Sequence, residues 1–102
     1  MEYYISIKIL EDIMKAVISV TGRDSMGIIA KVSAACAEYK ANIVDISQSV
    51  LSEYFAMIMI VDISALTVPF ASFIDTMSAL GEENGLVIHT MHEDIFNSMH
   101  SI

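Results

Sequence analysis

Two strand–helix–strand units of similar length follow one another along this chain, and no other feature limits its fold as tightly. The first unit opens with the strand-like run Lys15–Thr21, continues through a helix expected near Ser25–Lys40, and closes with a strand near Asn42–Leu51. Ser52-Glu53 is a short polar break that suits a hairpin turn although it lacks glycine. The second unit opens with Tyr54–Val61, a strand by its length and continuous apolar character. Its helix is expected from about Val68 to Asn84, with Thr67 as cap and Pro69 tolerated in the first turn. Phe70, Phe73, Ile74, Met77 and Leu80 recur at helical spacing and form one buried stripe. Gly85 ends that helix, and Leu86–Met91 supplies the fourth strand.

This βαββαβ order predicts an α+β, ferredoxin-like domain, a four-stranded antiparallel sheet in spatial order 4-1-3-2 with two helices on one face. With helices on one face only, each strand should alternate apolar and polar. The third strand does not. Phe55, Met57, Met59 and Val61 share one face, while Tyr54, Ala56, Ile58 and Ile60 share the other. Both faces are apolar, so the second needs a cover, and a dimer partner is the expected one. Glu93–Met99 reads as a short C-terminal helix with acidic residues in its first turn. Its apolar side (Ile95, Phe96, Met99) should fold back onto the edge or outer face of the sheet. In the second strand Asp45, Ser47 and Ser49 are expected on one face, and Asn42, Val44, Ile46, Gln48 and Val50 on the other. Two readings stay open there: a solvated outer face, or a polar pocket at a subunit boundary built from Asn42 and Asp45.

Composition narrows the class. A chain of 102 residues is one domain, able to bury roughly 60–65% of its unfolded surface. Its hydrophobic content of 55% against 18% charged excludes disorder. The longest apolar run, Tyr54–Val61, is far short of a membrane span. No leader-like segment is evident, and a single cysteine, Cys36, fits a reducing compartment, so the expected location is cytoplasmic. All five basic residues precede position 41, and the eight acidic residues beyond it set the net charge of −8. Phosphate backbones would be repelled, which argues against nucleic acid.

Catalytic signals are weak. His89-x-x-His92-Glu93 superficially suggests metal ligation, but on a strand positions 89 and 92 point to opposite faces. Cys36 sits mid-helix among alanines, where burial explains it. No nucleophile–base spacing or phosphate-cradling glycine loop stands out, and neither a cofactor nor a metal is expected. The pair Met57/Met59 suits either an adaptable interface or the core.

The most informative short stretch is Thr21-Gly22-Arg23-Asp24-Ser25-Met26-Gly27-Ile28, which joins the first strand to the first helix. Such a turn presents the unpaired N–H groups and positive dipole end of a helix to a carboxylate or phosphate. Asp24 reads as the N-cap, and Gly27 lets backbone or ligand approach closely; both also have purely structural readings, as cap and as packing residue. Fifteen positions past Gly27 comes Asn42-Ile43-Val44-Asp45. This combination resembles the ACT domain family, whose turn reads roughly Asp/Asn-x-Pro-Gly, followed by an apolar helix and an Asn-Ile that opens the second strand. The similarity is strongest to small stand-alone bacterial ACT proteins and extends over Met14 to Ile102. Met26 stands where many members carry proline. Gly22 stands where some carry histidine, so ligand identity does not carry over.

The resemblance implies a non-enzymatic regulatory module that binds an amino-acid-like ligand at a subunit interface and modulates a protein partner. The ligand carboxylate would sit on the turn formed by Arg23, Asp24, Ser25, Met26, Gly27 and Ile28, with Arg23 adding charge. Asp24 and Asn42, with Ile43 and Asp45 nearby, would meet its polar and ammonium groups, and a homodimer is implied. The competing class is a ligand-free interaction or dimerisation module. Residues 1–13 form a separate N-terminal extension. Tyr3–Leu10 suits an extra strand, but Glu11-Asp12-Ile13-Met14 can be encoded as a purine-rich ribosome-binding sequence ahead of an ATG. On that reading Met14 is the true start, the first thirteen residues are a misassigned extension, and residues 14–102 are the domain.

Overall fold

The computed structural model describes residues 14–23 and 26–100. In chain order the elements are β1 (Lys15–Gly22), α1 (Ile28–Glu38), β2 (Asn42–Leu51), β3 (Tyr54–Asp62), α2 (Phe70–Glu83), β4 (Val87–His92) and α3 (Glu93–His100). The strands form one antiparallel sheet in the order β2-β3-β1-β4, the ferredoxin-like arrangement expected from the sequence. The proposed N-terminal extension and its strand lie outside the described residues.

The core lies between the sheet and α1/α2. Ile18 and Val20 of β1, Met57, Met59 and Val61 of β3, Val32 and Cys36 of α1, and Phe73 and Met77 of α2 are all at most 1% exposed. Met57 and Met59 are therefore core residues, where an unbranched thioether fills irregular space between sheet and helices. In α2 the buried positions Phe73, Met77 and Gly81 recur every four residues, a 3.6-period stripe. Gly81 is the member that sequence periodicity of large side chains does not reveal. A Cβ there would stand 2.9 Å from the Leu86 carbonyl oxygen and 3.0 Å from Ile88 Cγ1, so glycine is what lets α2 lie close on β4.

The expected cap of α2 is corrected. Pro69, not Thr67, occupies the N-cap place, and no side chain closes that end. Thr67 instead donates from its N–H (3.0 Å) and its hydroxyl (3.3 Å) to the Tyr39 carbonyl oxygen, satisfying an acceptor just past the C-terminus of α1. Both helices end in the same backbone pattern. Leu86 N–H donates to the Gly81 carbonyl and Ala41 N–H to the Cys36 carbonyl, each at 2.8 Å, with Gly85 (φ 68°) and Lys40 (φ 60°) in the left-handed region. Glycine adopts that conformation without the Cβ clash; lysine does not. Lys40→Gly is accordingly expected to raise stability by about 0.5–1 kcal/mol, read as an increased urea midpoint at unchanged slope.

The second strand also departs from the simple alternation. Asn42 is opposite Asp62 and Ile43 opposite Val61, but Asp45 is opposite Ile60, so Val44 is an extra residue in a bulge. One inserted residue reverses parity. Asn42 therefore shares the outer face with Asp45, Ser47 and Ser49, and Ile43 joins Ile46, Gln48 and Val50 on the helix side. All ten residues of β2 are exposed, and among the described residues no strand pairs with its far edge. Val17 on the outer face is 3% exposed, and α3 follows β4 directly and lies near β1 and β4. Ile95 (55%) and Met99 (66%) of that helix stay exposed, so the apolar side expected to fold back on the sheet does not dock as a whole.

Candidate functional site

The turn between β1 and α1 departs from the expected cap. The helix starts at Ile28, and Gly27 holds the N-cap place at φ 72°, ψ 0°, with no side-chain capping bond. Gly27 contributes only its carbonyl, which accepts the Lys31 N–H at 3.0 Å. Gly27 itself supplies no cap side chain to the first-turn amides of α1, where the positive end of the helix dipole favours a carboxylate. Asp24, expected as the cap, and Ser25 lie outside the described residues. Met26 is 86% exposed, whereas the Ile28 side chain is buried at 4%, so Ile28 can offer a ligand only its backbone. The Arg23 guanidinium lies over the Tyr54 ring, 5.7 Å from its centroid, which draws the cation onto the outer face of the sheet.

The remaining site candidates are at the other end of the molecule. Gly22 is level with Phe55 and Val50, whereas Asn42 is level with Asp62 and Lys15. Seven residues of strand separate the two rungs, about 23 Å at the usual rise. Asn42 and Asp45 are exposed on the outer face, and Asp45 Oδ1 accepts the Ile46 N–H at 2.9 Å. Ile43 is on the helix side, 37% exposed. The turn residues and the Asn42 group are thus two separate clusters in one chain. The signal for this was present in the strand order: β1 and β2 both pair antiparallel with β3, so they run parallel. The start of β2 must then lie at the start of β1, away from the turn.

Apolar exposure surrounds both clusters. On the helix side of β2, Ile46 (37%) and Val50 (66%) remain open, and Ile29 of α1 is 38% exposed. Near Asn42, Met14, Lys15, Asp62 and Ser64 line a shallow polar depression of about 220 Å³. The Asp62 carboxyl is held below the usual carboxylate range, first by hydrogen bonds from Ser64, whose N–H approaches to 2.8 Å, and further by Lys15.

Among the reactive side chains, Cys36 is shielded and His92 is engaged. Burial pushes the Cys36 thiol up to about 11, which removes the thiolate at neutral pH. It is expected to resist a disulfide-exchange reagent at pH 8 in native protein and to react fully in urea; fast native labelling would contradict the buried placement. His92 Nδ1 accepts the Asp94 N–H at 3.1 Å, tying that imidazole to the start of α3. No group of three or more His, Cys, Asp or Glu suited to a metal occurs among the described residues. Among them, too, no helix is long and apolar enough to cross a membrane.

The chain is thus a two-layer βαββαβ domain with an antiparallel sheet in the order β2-β3-β1-β4. A family model for the ACT domain matches residues 15–90, and the chain belongs to the ACT domain family. ACT domains are generally regulatory, ligand-binding modules. A UPF0237 protein of Methanocaldococcus jannaschii is 48% identical over 88 residues, covering 86% of this chain and 98% of the relative. A UPF0237 protein of Clostridium acetobutylicum is 46% identical over 89 residues, covering 87% of this chain and all of that one. Among solved structures, an ACT domain protein from Streptococcus pneumoniae superposes with a TM-score of 0.73 at 41% identity, covering 81% of this chain and 93% of its own. A formyltetrahydrofolate deformylase from Pseudomonas syringae shares the fold alone, with a TM-score of 0.70 at 19% identity over 31% of its length.

Proposed function

We propose that this protein is a non-catalytic, cytoplasmic regulatory module that binds a small amino-acid-like ligand between two copies of itself and thereby changes its hold on a protein partner. The observation that carries this reading is the separation of the two polar clusters, the turn level with the Val50 end of β2 and Asn42 at its other end, on an exposed strand whose far edge pairs with no other strand among the described residues. Antiparallel pairing of β2 with β2 of a second copy, the two-fold arrangement, sets the start of one strand beside the end of the other. A pairing centred on Ile46 sets Asn42 of each copy on the Val50 rung of its mate, at the end of the sheet where the turn lies. The same pairing covers Ile43, Ile46, Val50 and Ile29 and removes the free edge. The ligand carboxylate occupies the open N-terminus of α1, and Asn42 of the other copy offers its amide to the polar end of the ligand.

A thermal-shift panel of the twenty amino acids and common nucleotides tests this reading. A true ligand at 100 times its Kd adds about 2.7 kcal/mol, a shift on the order of 10 °C for a domain of this size. Asn42 is exposed, so Asn42→Ala should leave the unliganded midpoint unchanged while removing the shift. Absence of any shift across the panel, in folded protein, favours the second reading, a ligand-free interaction module. That alternative draws its support from Tyr54 (51%) and Ile58 (44%), apolar residues exposed on the outer face.

A further inference from the structure

The sheet has a second edge at β4. Among the described residues β4 pairs with β1 on one side and with no strand on the other. Natural edge strands are commonly blunted by a lysine, a proline or a bulge. Val87–His92 has none of the three: its register with β1 is unbroken, and it contains neither lysine nor proline. Between this edge and α2 lies a depression of about 230 Å³, lined by Ser78 and Glu82 of the helix and by Leu86, Val87, Ile88 and His89. Thr90, on the same side of β4 as Ile88, is 8% exposed, and its hydroxyl has no hydrogen-bond partner among the described residues. The edge thus holds unmet hydrogen-bonding groups in its backbone and in one buried side chain. Its charge is one-sided. α2, β4 and α3 all follow Lys40, beyond which the chain has no Lys or Arg. Asp75, Ser78 and Glu82 share one row of α2, and Glu93 and Asp94 stand just past the end of β4. Of the described cations, Arg23 lies over Tyr54 of β3, Lys31 donates to Asn84, and Lys15 faces Asp62 on the outer face. We propose that β4 takes up an extended segment of a partner protein as an added strand, one in which basic and β-branched side chains alternate. The basic stems lie along Leu86 and Ile88 with their charges at Glu82 and Asp75, and the β-branched row stands beside the exposed Val87. A second copy is the poorer occupant, because pairing β4 with β4 sets two rows of Asp75 and Glu82 against each other. The proposal rests on the regulatory reading for the existence of a partner alone; β2 and the turn take no part in it.

The probe is a peptide of about eight residues in which lysine and valine alternate, compared with the glutamate/valine peptide of the same length. Fluorescence anisotropy with the full chain, in the absence of any amino acid, should show the basic peptide binding at least tenfold more tightly. N-methylation of one alternate set of its amides should abolish binding while methylation of the other set does not, the signature of strand pairing. Asp75→Lys combined with Glu82→Lys, both at exposed positions, should weaken binding tenfold or more. Glu38→Lys, exposed on α1, should leave it unchanged. Glu82→Gln is the milder substitution if the double variant folds poorly. Hydrogen exchange should show the peptide slowing the amides of β4 and not those of β2. Absence of binding, equal binding of both peptides, indifference to N-methylation or to the α2 substitutions, or protection at β2 overturns the proposal. So does protection of β4 amides that grows with the concentration of the free protein, since that outcome places a second copy on this edge. A ligand-dependent thermal shift without peptide binding removes the partner strand and leaves the ligand site standing, so the two failures are distinct.

Discussion

Phe73→Ala is expected to lower the unfolding free energy by about 3–5 kcal/mol, a third or more of what a domain of this kind usually has. Phe73 is fully buried at the start of α2, and its ring meets Tyr39 edge-on, with centroids 6.2 Å apart and planes at 70°. That contact joins α2 to the end of α1, while the other end of the pair is held by Lys31 Nζ donating to Asn84 Oδ1 at 2.6 Å. The second contact is exposed, so the aromatic pair carries most of the helix–helix coupling. Removing the ring leaves a cavity beneath both helices that Met77 and Ile18, themselves fully packed, have little freedom to fill. Urea titration followed by far-ultraviolet circular dichroism measures the loss. A change below about 1.5 kcal/mol would mean that the helices collapse onto the sheet more readily than close packing allows.

Mixing two defective variants should restore ligand binding that neither has alone. Gly27→Val forces a β-branched residue to φ 72°, which spoils the turn, and Asn42→Ala removes the amide. In a two-fold assembly each site takes its turn from one chain and Asn42 from the other. A mixed pair therefore contains one intact site and one doubly defective site, and random mixing should recover about a quarter of wild-type capacity. Calorimetric titration with whichever compound stabilises the wild type reads the stoichiometry. Recovery of nothing would place the turn and Asn42 in independent roles. Gly27→Ala, a milder substitution at the same φ, keeps the experiment informative if the valine variant folds poorly.

The parts of the fold readable from sequence were those set by periodicity. The spacing of Phe73 and Met77 and the two-sided apolar character of Tyr54–Val61 reach the structure unchanged, because burial on a helix or strand depends on repeat alone. The face assignment of Asn42 failed because a bulge at Val44 leaves no trace in composition; a valine in a strand looks the same in or out of register. Asp24 and Thr67 were read as caps from residue type. One lies three residues ahead of the glycine that holds the cap place, and the other spends its hydroxyl on the Tyr39 carbonyl. Lys40 in the left-handed region was invisible for the converse reason, since the usual marker of that conformation is glycine. The candidate site was legible as a list of residues and not as a place. Turn and strand start are conspicuous motifs, but their separation follows only when strand direction is taken into account.

That separation has a consequence for how such a molecule responds in a cell. When half of a binding site belongs to another copy of the same chain, occupancy depends on the square of the chain's own abundance as well as on the metabolite. Scarce protein would read a given metabolite concentration as low, and abundant protein would read the same concentration as high. Synthesis and degradation of the chain therefore set its threshold, without any change in the residues that touch the ligand.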